Sequence, residues 1–186
     1  MPALHRSRET ALPASVRACG RDWPVRWGHD TALRIFALAG DPEATERQKA
    51  ALPLGWFYRE RPPDAGAAPG AMGRFLAPGP PAPAGPPQIC FAHDADEIYS
   101  SFLEQYGVCL FAGPVHWHRF LALLKCLSPD TAPGRKMALR AADPKEFPKG
   151  AAGARLRKAQ REARIPEALS ADEGRRMSEL MGMTGD

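Results

Sequence analysis

The sequence predicts a mainly α-helical fold: a small helical domain on a central helical hairpin, with a short N-terminal β-hairpin and a Pro/Gly-rich insert. Three observations predict it. Residues 94–127 hold two segments whose apolar residues recur at helical spacing, joined through Gly107 and Pro114. Helix-start signals recur along the chain, at Asp30, at Asp41-Pro42, at Asp94 with Glu97, and at Ser170 with Glu173. Proline and glycine are clustered, with nine prolines and five glycines between Arg61 and Pro87, so helix breaking is confined to one region.

Taken in order, residues 1–13 lack periodicity and read as a flexible arm. Val16 and Ala18, then Trp23, Val25 and Trp27, alternate about a Cys19-Gly20-Arg21-Asp22 turn, the pattern of a hairpin, with Pro24 confining the second strand to an edge. Asp30 is placed to cap a helix to Ala39 that buries Leu33, Ile35 and Phe36 and ends at Gly40. Asp41-Pro42 opens the next helix, which runs to Trp56-Phe57-Tyr58 and is kinked or split by Pro53 and Gly55; that aromatic triplet is expected against the central hairpin. Within residues 61–87 only a short helix near 71–77 is expected, followed by a proline-rich linker at 78–87.

The central pair comes next. Asp94 and Glu97 form a capping box; Ile98, Tyr99, Phe102, Leu103 and Tyr106 make one stripe, and Gly107 closes the helix. Pro114 suits the first turn of the second helix, whose stripe is Trp117, Phe120, Leu121, Leu124 and Leu127. A short helix over 131–142, a charged helix over 149–165 ended by Pro166, and a marginal helix with Met177, Leu180 and Met181 complete the chain. The domain reading is an arm at 1–13, a helical domain at 14–142 with the Pro/Gly-rich loop within 61–93, and a basic helical tail at 143–186.

Net charge is +4, too small by itself to imply nucleic acid, but it is unevenly placed: Arg135–Arg164 holds ten Lys/Arg against three acids. No apolar run reaches the roughly 18 residues a membrane span needs, and the N-terminus lacks a secretory h-region. The expectation is a protein of the host bacterial cytoplasm, without membrane contact, with Cys19, Cys90, Cys109 and Cys126 as free thiols.

Candidate chemistry is sparse. His116 and His118 lie two apart, and on a helix such residues point about 200° away from each other, so with Cys90 and His93 they make a poor metal set. His118 fits better as a satisfied core or interface histidine. No nucleophile elbow, glycine-rich phosphate loop or supported His/Asp/Ser set occurs. The expectation is therefore no enzyme, no cofactor and no metal. Arg155, Lys158 and Arg161 form a basic patch able to meet phosphates, but no aromatic residue between Pro148 and Pro166 is there to stack a base, so nucleic acid is disfavoured.

IYSSFLEQYGVCL and HWHRFLALLKCL, followed by ALR and LRKAQREARIP, resemble the bacteriophage gene-product-fifteen family of tailed phages and prophages of Gram-positive hosts. Trp23–Tyr58 matches more loosely, and His29-Asp30-Thr31 stands where the family usually has an acidic-aromatic-basic triplet. The resemblance implies a tail-morphogenesis protein, with genes near those of the major tail and tape-measure proteins. It points to an assembly chaperone that coats the tape measure until tail-tube protein replaces it. No catalytic residue is carried over. The expected partners are the tape-measure protein or other tail proteins, with self-association a further option. A helix-in-groove contact would use Tyr99, Phe102, Tyr106, Trp117, His118 and Phe120. The alternatives are a basic nucleic-acid-binding module and a minor structural tail component.

Overall fold

Seven α-helices and one two-stranded sheet are found in a computed structural model that describes residues 12–60, 66–79 and 88–166. The hairpin forms as expected: β1 (Ser15–Ala18) pairs antiparallel with β2 (Arg21–Pro24), Ala18 opposite Arg21. The turn is tighter than the sequence suggested, only Cys19 and Gly20, both at positive φ (51° and 78°). Two-residue hairpin turns need that backbone to match strand twist. Trp23 is buried and its indole N–H donates to the Ala18 carbonyl at 3.0 Å.

Beyond β2 the chain stays extended and ties two regions together. Val25 bridges to Tyr58, and Gly28 bridges to His116. Helix α1 (His29–Gly40) then starts with Gly28, not Asp30, at its N-cap, and no side chain caps it. The bridge to His116 fixes that start, because His29 N–H is already given to the Val115 carbonyl at 2.8 Å. Helix α2 (Glu46–Phe57) begins later than the Asp41-Pro42 signal implied. Thr45 and Gln48 form its capping box, and Asp41 instead closes a turn by accepting from Glu43 N–H. Pro53 sits buried inside α2 without splitting it.

The insert yields a longer helix than expected, α3 (Ala67–Leu76), which buries Ala68, Ala71, Met72, Phe75 and Leu76. The aromatic triplet packs on this helix: Phe57 meets Phe75 edge-on at 5.2 Å, and the Tyr58 hydroxyl donates to Ala68 O at 2.8 Å. Trp56 lies under Arg34 of α1. Most of the proline-rich linker, the arm up to residue 11 and the 170–186 helix lie outside the described residues.

The central pair is α4 (Ala95–Tyr106) and α5 (Trp117–Lys125), with Gly107 closing α4 at φ 64°. Pro114 stays outside α5. Residues 114–116 are held extended against 28–29, and His116 becomes the N-cap, its side chain accepting from His118 N–H. Helix α6 (Ala132–Ala141) is capped by Thr131 with Pro133 in its first turn. A 3-10 turn at Pro144–Glu146 leads into α7 (Ala151–Glu162), shorter than the 149–165 expected.

A continuous aromatic core joins these parts. Trp117 and Phe120 stack at 5.4 Å, Phe120 stacks on Phe102 at 5.0 Å and on His29 at 5.5 Å, and Phe36 leans on Trp117 at 5.6 Å. Such ring pairs add about 0.5–1.5 kcal/mol each beyond the area they bury.

Candidate functional site

Three places combine unusual chemistry with defined geometry: a buried ionic cluster under α4, the start of α5, and the outer face of α4.

Asp94 stands at the N-cap of α4 but its side chain does not cap the helix, contrary to the expected capping box. Its buried carboxylate receives Arg140 of α6 through two bonds, at 2.6 and 2.9 Å. His93 Nδ1 lies at 2.9 Å, Cys90 N–H donates at 3.0 Å and Lys136 approaches to 3.4 Å. A guanidinium matches both carboxylate oxygens at once and draws them away from the N–H groups of α4's own first turn. Glu97, the other half of the expected box, pairs with Lys136 at 2.5 Å. Burial pushes the Asp94 carboxyl up, but the bonds from Arg140, His93 and Cys90 outweigh it and hold it well below the usual carboxylate range. Arg140 also donates to the Ala163 and Gln88 carbonyls at 2.6 and 2.9 Å. This cluster fastens the 88–94 segment, α4, α6 and the end of α7. Sequence reasoning missed it, although Arg140 sat in the quoted ALR segment.

At the start of α5, Trp117 and His118 close the end of α3. The Trp117 indole donates to Leu76 O at 2.7 Å, and His118 Nε2 meets Phe75 O at 2.8 Å. These are helix C-terminal carbonyls with no partner inside their own helix. His116 uses both ring nitrogens, accepting from His118 N–H through Nδ1 and meeting Pro13 O through Nε2 at 2.9 Å, and it stacks on Trp27. Burial lowers the His116 and His29 pKa values, against smaller opposing contributions. Among the described residues no group of three or more His, Cys, Asp or Glu is arranged to hold a metal ion.

The residues expected to face a partner divide sharply. Phe102, Trp117 and Phe120 are 0%, 1% and 1% exposed and pack on one another. His118 is half-buried against Phe75. Tyr106 is half-buried with its hydroxyl on Leu123 O at 2.9 Å. Tyr99 is also half-buried, between Phe102 and Leu103 around the α4 helix. Leu103, placed in the core stripe by periodicity, is instead 46% exposed. Ile98, Ser101 and Phe102 form the buried face, so the stripe is narrower than the sequence pattern suggested.

Phe111, which the pattern did not single out, is 82% exposed. It lies 4.6 Å from Tyr99, ring to ring. Its loop is ordered by Ala112 N–H on Cys109 O at 3.2 Å and by the Tyr99 hydroxyl at 3.8 Å from Cys109 Sγ. The Tyr99 hydroxyl, aided by the Phe111 and Ala112 backbone, holds the Cys109 thiol below its usual pKa, while the same contact raises that of Tyr99. Phe111 stands in water and forgoes about 1.5–3 kcal/mol of burial.

Arg155, Lys158 and Arg161 are all exposed on the outer side of α7, and Lys158 pairs with Glu162 at 3.7 Å. The inner side of α7 is docked: Gln160 donates to Leu139 O and Ala142 O, both at 2.8 Å. No helix among the described residues is long and apolar enough to cross a membrane.

Residues 83–164 match the family model described as Bacteriophage Gp15 protein. The matched stretch contains the ionic cluster, both central helices, the Phe111 loop and α7, and leaves out the N-terminal hairpin with α1 to α3. No curated protein matches the chain, and no solved structure does.

Proposed function

We propose that this chain, whose residues 83–164 match the bacteriophage Gp15 family model, is a phage tail assembly protein. In this reading it is a chaperone that binds and shields the tape-measure protein in the host bacterial cytoplasm, and it runs no reaction. A tape measure is a long amphipathic helical chain that aggregates when left alone. The observation that carries the reading is the ordered, exposed Phe111 beside Tyr99, with Leu103 exposed one turn further along α4, within the matched segment. Asp94, Glu97, Lys136 and Arg140 are engaged in holding helices together, which supports a binding role over catalysis for that cluster.

Co-expression with a fragment of the adjacent tape-measure gene tests it. The fragment is expected to be soluble only when this protein is present; equal solubility without it overturns the reading. Purified virions are expected to lack the protein, whereas its retention there favours a minor structural tail component. A second reading, binding of nucleic acid, draws on the exposed Arg155, Lys158 and Arg161 of α7.

A further inference from the structure

We infer that the Tyr99–Leu103–Phe111 face is the docking site for one amphipathic α-helix of another protein, a helix whose apolar stripe is bordered by Lys and Arg. The inference rests on the partner-binding reading above and adds where the partner sits and what its flanks carry.

The face has an apolar centre and an acidic border. Leu103 lies one turn from Tyr99 on α4, and Phe111 leans over Tyr99 from the loop that follows. Asp96 and Ser100, at seven and three residues before Leu103, share its side of the helix, and Glu104 follows it; all three are exposed. From Ala95 to Val115 the acids are Asp96, Glu97 and Glu104, and there is no Lys or Arg, in a chain whose net charge is +4. Glu97 is neutralised by Lys136, and among the described residues no ion pair engages Asp96 or Glu104. They stand about 12 Å apart along α4 at 1.5 Å per residue, the reach of two turns of an opposing helix. The loop Gly107–Val115 carries no charged residue at all. Charge complementarity therefore selects a basic-flanked helix and rejects an acidic one. The Cys109–Ala112 turn and the Tyr99–Cys109 contact hold Phe111 in place before binding, so little side-chain freedom is left to lose.

The test uses the full chain and two peptides of about three heptads. Both have leucine on one face; one has lysine at the flanking positions, the other glutamate. The lysine peptide is expected to bind at least about tenfold more tightly, and Phe111→Asp to weaken it by about tenfold or more, with the helical content and melting temperature of the protein unchanged because Phe111 is exposed. Asp96→Lys with Glu104→Lys is expected to invert the preference between peptides. Equal binding of both peptides, or unchanged binding by Phe111→Asp, overturns the inference. So does a wild-type dimer in sedimentation that Phe111→Asp dissolves, since a second copy then covers the face. If wild type and Phe111→Asp solubilise the tape-measure fragment alike, the face is wrong but the chaperone reading stands. If wild type fails to solubilise it, that reading falls, and the peptide measurements decide the face by themselves.

Discussion

Arg140 is only 8% exposed, yet it carries a full charge and makes four bonds, two to Asp94 and one each to Gln88 O and Ala163 O. Removing one member of such a pair strands the other in a dry site at a cost of about 3–5 kcal/mol. Arg140→Met is expected to lower the urea midpoint accordingly. The double variant with Asp94→Asn should lose less than the two single variants combined, a coupling read from a double-mutant cycle. Because the Asp94 carboxyl is held below its unfolded value, the stability it contributes is complete above the unfolded pKa of about 4. That stability is lost as pH falls from there toward the depressed folded value. At His116 it is burial that lowers the pKa, and Nδ1 must stay unprotonated to cap α5. The neutral form is favoured by folding, so stability should weaken as pH drops below about 6.5, the unfolded histidine value. His116→Asn keeps a capping oxygen without a titrating ring. It is expected to flatten the slope of urea midpoint against pH in that range, leaving the share of His29, whose pKa is also lowered.

Helix α7 has almost no apolar face, and its docking depends on close approach. A Cβ at Gly153 would lie 1.7 Å from the Pro148 carbonyl oxygen, so the chain entering the helix passes against a bare backbone. Gly153→Ala is favoured by intrinsic helix propensity, yet the backbone would have to move. The expected net effect is a loss of about 1–3 kcal/mol, seen as a lower melting temperature and faster hydrogen exchange in α7. Helix α4 shows the opposite economy. Ile98, Ser101 and Phe102 turn inward while Leu103 and Tyr99 stay on the outer flank, because α5 and α6 cover only one side of it. The same helix therefore serves core and surface with residues one position apart.

Over the whole molecule the charge is divided: the α4 face and its loop are acidic or neutral, and the outer side of α7 is basic. This separation distinguishes the two functional readings. Capture of an apolar helix bordered by Lys and Arg weakens only modestly with salt, whereas phosphate-driven binding falls by orders of magnitude from low to moderate salt. Titration of tape-measure-fragment binding against salt is expected to give a shallow slope, and charge reversal at Arg155, Lys158 and Arg161 to leave it nearly unchanged. A steep slope removed by that reversal would place the fragment on the basic side of α7 instead, and a nucleic-acid role is read from the same titration made with an oligonucleotide.

Local pattern determined a good deal by itself. Helical spacing and Gly107 placed α4 and α5, a short helix over 131–142 anticipated α6, alternation placed the hairpin, and the aromatic block with ALR carried the family resemblance. These are properties of neighbouring residues and need no fold to express them. Which side of α4 was core, why Asp94 left its helix end, and where the Trp56–Phe57–Tyr58 triplet packed were decided only in three dimensions. Asp94 and Arg140 are 46 residues apart and meet because two helices cross. Leu103 has the spacing of a core residue and stays exposed because no element among the described residues covers its side. Periodicity fixes which residues share a face; only packing fixes which face finds a neighbour.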